Sequence, residues 1–163
     1  MDINKSQTIE VCKVAWKAGK KILDIYSKKF KIFKKKDMSP VTVADLDSEK
    51  TIIEGLKKIF NKPIIISEES NNKSKNKLEN FWLVDPLDGT KEFIKKNGEF
   101  TVNIALISNG EPILGVVYAP VLDTAWYGII NEGSYKVLNN QSAVKISVIK
   151  PDNTVKIVTS RSH

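Results

Sequence analysis

Phe81-Trp82-Leu83-Val84-Asp85-Pro86-Leu87-Asp88-Gly89-Thr90-Lys91-Glu92-Phe93 is the stretch whose reading decides the fold. Phe81 to Val84 is short and apolar, as a buried strand should be. Two carboxylates, Asp85 and Asp88, follow where that strand is expected to end, and Pro86 stiffens the turn between them. Asp88-Gly89-Thr90 then opens a short helix, Thr90 to Ile94. The free amides of Gly89 and Thr90 at its start suit a phosphate, because unpaired N–H groups and the helix dipole both favour an anion. Carboxylates beside a phosphate repel it unless cations lie between them. Hard oxygen donors of this kind select magnesium. The stretch therefore points to metal-assisted phosphoryl transfer to water.

Upstream, two more acidic sites stand where elements end, and chemistry concentrates at such places. Ser67-Glu68-Glu69 follows Ile64-Ile65-Ile66, a β-branched run that reads as a strand. Thr42-Val43-Ala44-Asp45 opens a helix expected over residues 42 to 61, with Ile52, Ile53, Leu56, Ile59 and Phe60 on its buried face. Asn61-Lys62-Pro63 ends it. Each site also has an ordinary reading. Thr42-x-x-Asp45 is a capping box, Glu68-Glu69 a solvated turn and Asp88-Gly89 a common turn pair. Their conjunction is what argues for a site.

A longer helix is expected first, over residues 5 to 30. Ile9, Cys12, Trp16, Gly19, Leu23, Tyr26 and Phe30 recur at three- and four-residue steps on one stripe. Cys12 lies on that stripe and reads as a small buried hydrophobe, not a nucleophile. Met38-Ser39-Pro40-Val41 breaks the chain before the second helix. Residues 70 to 79 are polar and read as a loop. Downstream the pattern is strands: Phe100 to Ser108, a turn at Asn109-Gly110, Ile113 to Tyr118, Thr124 to Ile130, Tyr135 to Leu138, Val144 to Val148 and Val155 to Thr159. The fold class is α+β, two N-terminal helices packed on a largely antiparallel sheet.

The 163 residues, 41% hydrophobic, suffice for one core. No apolar run is long enough to span a bilayer, and Met1 to Glu10 has no signal-peptide core. Cys12 is the single cysteine, so no internal disulfide forms. The expected location is the cytoplasm. The net charge of +7 is almost all lysine, with Arg161 the only arginine. Arginine forks and aromatic platforms for nucleic acid are lacking, so nucleic acid is not an expected partner. Lys28, Lys29, Lys31, Lys34, Lys35 and Lys36 read as a solvated cluster at and beyond a helix end. Steering of a phosphorylated substrate, or peripheral contact with the inner face of the cell membrane, stays open.

Trp82 to Phe93 resembles the signature of the inositol monophosphatase superfamily. Lys91-Glu92-Phe93 is similar to its 3'(2'),5'-bisphosphate nucleotidase branch. Ser39-Pro40-Val41-Thr42-x-Ala44-Asp45, Ser67-Glu68-Glu69, Gly98 to Leu106 and Ser160-Arg161-Ser162-His163 match in order and spacing. The resemblance implies the first lobe of the layered α/β sandwich of sugar phosphatases. Residues 1–163 would be its N-terminal metal-binding lobe, with the C-terminal substrate lobe absent. It implies magnesium held by Glu68, Asp85, Asp88 and the Leu87 carbonyl. Of the adjacent Glu68 and Glu69, position in the motif selects Glu68, which also counts among the catalytic residues. Asp45 and Thr90 would orient and help deprotonate the attacking water. The substrate phosphate would rest on Leu87, Asp88, Gly89 and Thr90. The implied reaction converts 3'-phosphoadenosine 5'-phosphate, a small phosphorylated nucleotide, to AMP and phosphate.

Three alternatives remain at this point. Another member of the superfamily would act on an inositol or sugar phosphate. A haloacid dehalogenase-type phosphatase would use an aspartate nucleophile, but its motif has one residue between the aspartates and this chain has Pro86 and Leu87. A catalytically dead lobe would persist as a binding or homodimerising module.

Overall fold

The computed structural model describes residues 3–34, 40–70, 78–138, 141–148 and 157. Helices α1 (Lys5–Tyr26) and α2 (Val43–Ile59) flank a small hairpin of β1 (Ile32–Lys34) and β2 (Pro40–Thr42). A seven-stranded sheet follows: β3 (Ile65–Ser67), β4 (Asn80–Asp88), β5 (Thr101–Ser108), β6 (Glu111–Ala119), β7 (Thr124–Ile129), β8 (Gly133–Leu138) and β9 (Val144–Ile146), with α3 (Thr90–Lys95) between β4 and β5. The strands lie in chain order across the sheet. Every neighbouring pair is antiparallel except β3 and β4. The α+β expectation therefore holds. The strand expected over Val155 to Thr159, the residues Lys35, Lys36, Met38 and Ser39, and the closing Ser160-Arg161-Ser162-His163 lie outside the described residues, Ile157 excepted. No helix among the described residues is long and apolar enough to cross a membrane.

Asn4 starts α1. Its side chain accepts the Gln7 amide while Gln7 accepts the Asn4 amide, so two donors otherwise orphaned at a helix start are satisfied. The helix stops at Ser27, short of the expected residue 30. Phe30 leaves the helix and packs on Phe93 of α3, ring centroids 4.8 Å apart. Cys12, Trp16 and Gly19 are buried as expected. Val11, Ala15, Ala18 and Ile22 are also fully buried, more so than Ile9, Leu23 and Tyr26. The cause is that α1 lies against both α2 and the sheet strands β5 and β6. A helix with two neighbours buries a wider arc than one stripe. Burial pushes the Cys12 thiol up to about 12, consistent with an inert core residue.

Gly19 sets how closely α1 meets the sheet. A Cβ there would lie 2.3 Å from Cε1 of Tyr118, inside van der Waals contact with a packed ring. Beside it, the Trp16 indole N–H and the Tyr118 hydroxyl both donate to Oδ1 of Asp123, at 2.9 and 2.8 Å. Asp123 adopts a left-handed backbone (φ 42°) after the short turn Pro120–Leu122. Asp123→Ala leaves two buried donors unpaired and puts alanine in that conformation. The expected loss is about 2–4 kcal/mol in urea unfolding. Asp123→Asn, which keeps an acceptor, should lose less than half of that. Equal losses in the two variants would show that hydrogen bonding is not what Asp123 supplies.

One expectation needs correction. The strand read as Phe81 to Val84 does not end there; β4 continues through Asp85, Pro86 and Leu87 to Asp88. The two aspartates therefore lie within a strand and not in a turn after it. Proline is tolerated because the ladder shifts register between Asp85 and Asp88, so no pairing N–H is needed at Pro86. Trp82 and Val84 face the helices and are buried, whereas Leu83 and, on β6, Val117 are 47% and 40% exposed on the opposite face.

Candidate metal and phosphate site

In a regular strand, residues three apart point to opposite faces. Asp85 and Asp88 escape this because β4 is bulged. Asp85 pairs with Asn103 and Asp88 with Thr101, so three steps on β4 match two on β5. The extra residue brings both carboxylates to one face. Asn103, opposite Asp85, donates from Nδ2 to Oδ2 of Asp88 at 3.2 Å. Glu68 follows β3, and its backbone N–H donates to the Val84 carbonyl at 3.1 Å, which sets it beside Asp85. Glu68, Asp85, Leu87, Asp88, Gly89 and Thr90 line one cavity of about 220 Å³ together with Lys91. The structure thus brings every sequence-selected metal and phosphate residue to one place. Glu69 is not among the residues lining that cavity.

The electrostatics of the cavity are strained. Burial, then the charges of Glu68 and Asp88, push the Asp85 carboxyl up to about 7. Oδ1 of Asp85 is buried without a hydrogen-bond partner, and so is Oδ1 of Asn103. Buried oxygens without donors are costly unless something positive meets them. An all-oxygen donor set of carboxylates and a carbonyl fits a hard divalent cation. Among the described residues no three acidic, histidine or cysteine side chains form a closed cage by themselves. The Leu87 carbonyl is the remaining oxygen in the set.

Asp45 serves two neighbours, one with each oxygen. Oδ2 accepts from the Thr42 amide at 2.7 Å and the Thr42 hydroxyl at 2.6 Å, and Thr42 Oγ1 accepts from the Ala44 amide, which is the capping box. Oδ1 accepts from the Thr90 hydroxyl at 3.0 Å. Thr42-x-x-Asp45 is therefore a capping box whose carboxylate has a second oxygen engaged with Thr90. Asp45 is fully buried and the Leu87 carbonyl, 3.2 Å away, is a second acceptor for Thr90. Gly89, at φ 92°, makes the corner into α3, and a Cβ there would press within 2.8 Å of the Glu99 carbonyl.

Sequence reading missed two residues that shape the site. Ser48, fully buried on α2, donates to the Pro86 carbonyl at 2.6 Å and ties α2 to the bulge. A serine within a helical run gives no signal for this. Asn103 was legible only as a polar interruption between Val102 and Ile104. Lys28, Lys29 and Lys31 are exposed, as expected of a solvated cluster.

The model of the inositol monophosphatase family matches residues 4–163. The chain belongs to the inositol monophosphatase family. Among relatives, the chain is 42% identical over 158 residues to the 3'(2'),5'-bisphosphate nucleotidase CysQ of Salmonella typhimurium, covering 94% of this chain and 63% of that protein. The chain thus spans less than two thirds of the length of that relative. Among solved structures, CysQ from Bacteroides thetaiotaomicron superimposes with a TM-score of 0.66 at 39% identity, over 82% of this chain and 49% of that one. An inositol monophosphatase/NADP phosphatase complexed with Mg2+ and phosphate shares the fold, with a TM-score of 0.69 at 21% identity over 77% of this chain and 48% of that one. The family resemblance read from Trp82 to Phe93 is borne out.

Proposed function

We propose that residues 1–163 form the metal-binding lobe of a magnesium-dependent phosphomonoesterase that hydrolyses 3'-phosphoadenosine 5'-phosphate to AMP and phosphate. The observation that carries this reading is the bulged end of β4. It sets Asp85 and Asp88 on one face, beside a Thr90 hydroxyl that donates to buried Asp45. The substrate class rests on Lys91-Glu92-Phe93 and on relatives named as bisphosphate nucleotidases.

Glu68, Asp85, Asp88 and the Leu87 carbonyl would hold the magnesium. When bound, it supplies charge neutralisation at the phosphate and a more acidic water. Thr90 gives its only proton to Asp45, so its lone pairs stay open to the proton of an arriving water. Asp45 cannot turn away, because Thr42 holds its other oxygen twice. The oxygen of that water bonds to phosphorus as the bond to the ribose oxygen breaks; the water's proton passes to Thr90 as the Thr90 proton passes to Asp45, and the departing ribose oxygen takes a proton from solvent water. The first-turn amides of α3 and the Lys91 ammonium face the phosphate's negative charge.

Phosphate release by the chain from 3'-phosphoadenosine 5'-phosphate, with magnesium and with chelator, tests the reading. Release should require the metal and should fall by about 10²-fold or more in Asp88→Asn, a loss of several kcal/mol of charge stabilisation. Release that ignores chelation, or an Asp88→Asn variant as active as the parent, would overturn it. Equal turnover of an inositol phosphate would move the substrate assignment to the wider family.

A further inference from the structure

Asn103 is out of place by strand chemistry. Asparagine is depleted in strands, and β5 is otherwise built of Val102, Ile104, Leu106 and similar side chains. Its position explains it. Asn103 is the register partner of Asp85, so the two side chains stand next to each other on one face. Its Nδ2 donates to Asp88, and this contact fixes which end of the amide is which, since the reversed amide would set oxygen against carboxylate oxygen. Its Oδ1 must then point away from Asp88. That oxygen is buried and unpartnered, and so is Oδ1 of Asp85. Asn103 does not line the 220 Å³ cavity; it lines a second one, of about 630 Å³, whose walls also include Glu68 and Asp85, the two residues common to both.

We propose that Asn103 is a positioning residue of the cation site, holding Asp88 through its amide nitrogen and offering its amide oxygen, alongside that of Asp85, to the cation's water shell. The inference rests on the metal reading of Glu68, Asp85 and Asp88 given above. Its physical logic is that magnesium keeps several of its waters, and those waters need acceptors. Asparagine carries its donor and its acceptor on separate atoms, so it can donate to one carboxylate and accept from a donor on its other side at once. Valine would fill the strand better and leave Asp88 without an orienting donor.

The test is magnesium titration by calorimetry of the parent chain, Asn103→Leu, Asn103→Thr and, as a control, Asp85→Asn, with unfolding of each protein followed in chelator. Partners of this kind are worth about 10–100-fold in metal affinity. Asn103→Leu and Asn103→Thr should each bind magnesium about 10–100-fold more weakly. Neither should be less stable than the parent in chelator, because leucine removes the unsatisfied buried oxygen and threonine replaces it with a hydroxyl that can rotate to a partner. Threonine is a good strand former too short to reach Asp88, so it separates lost contact from lost fold. Binding by both variants within about twofold of the parent, while Asp85→Asn loses it, would overturn the role of Asn103 and leave the metal reading standing. No magnesium binding by the parent, or binding indifferent to Asp85→Asn, would overturn both.

Discussion

Asp85→Asn is expected to give a chain that is more stable without metal and no longer stabilised by it. Burial and the charges of Glu68 and Asp88 raise the Asp85 carboxyl from an ordinary 3.8 to about 7. Between those values the folded chain keeps a proton that the unfolded chain has released. Stability in chelator therefore falls as pH rises from about 4 to about 7, and is lowest above that window. A shift of this size corresponds to about 4 kcal/mol at 1.36 kcal/mol per unit. Solvent reaches part of the carboxyl and screens it, which leaves about 1–2 kcal/mol. Asparagine carries no charge, so the variant should exceed the parent by that amount at pH 8 and lose the slope. Magnesium should restore the parent at neutral pH and do little for the variant. Urea unfolding from pH 4 to 8, with chelator and with magnesium, reads all of this. A parent whose stability in chelator is flat over that range would sink the argument, as would an equal gain from magnesium in both proteins.

Asp45 should split stability from chemistry in the opposite way. Asp45→Ala removes an acceptor that serves the Thr42 amide, the Thr42 hydroxyl and the Thr90 hydroxyl inside the fold. A loss of about 3 kcal/mol is expected, since at least one of those donors stays buried and unpaired. Asp45→Asn keeps an oxygen for Thr42 and turns an N–H toward Thr90. The hydrogen bond survives with its direction reversed. Thr90 now accepts where it had donated, and its own proton goes to the Leu87 carbonyl, already 3.2 Å away. One of its two lone pairs is then occupied, and the carboxylate that could receive its proton is gone. Phosphate release should fall by about 10²–10⁴-fold while unfolding shifts by less than about 1 kcal/mol. Asp45→Asn that turns over like the parent would remove Asp45 and Thr90 from the proton path.

Both experiments depend on contacts of unequal legibility. The turn into α3 could be read from Asp88-Gly89-Thr90, because a left-handed glycine before a helix is a local event. The strand character of Asp85, Pro86 and Leu87 could not, since proline and aspartate both argue against a strand. Only the register against Asn103 and Thr101 rescues it. Thr42-x-x-Asp45 was legible as a cap, but a pattern of letters does not show that one carboxylate has a second oxygen to give to Thr90. Ser48 left no trace, as its partner is a backbone carbonyl far along the chain. The wide burial of α1 was hidden for a similar reason: a stripe predicts one neighbour, and the sequence does not announce that α2 supplies a second. The family resemblance, by contrast, gathered Glu68, Asp85, Asp88 and Thr90 at once, and those four line one cavity.

The sheet order also carries a history. From β4 to β9 each strand lies beside the one made just before it, so those pairings close short loops and should form quickly. The first helix is different. Its indole at Trp16 is tied to Asp123, 107 positions later. On a ribosome that helix emerges before the sheet, and six strands have to be synthesised before the residue that anchors its indole exists. During that interval it is the segment most open to a chaperone or to a wrong partner. Helix α1 can pack on α2 early, but its tie to the turn after β6 forms only once Asp123 has been made.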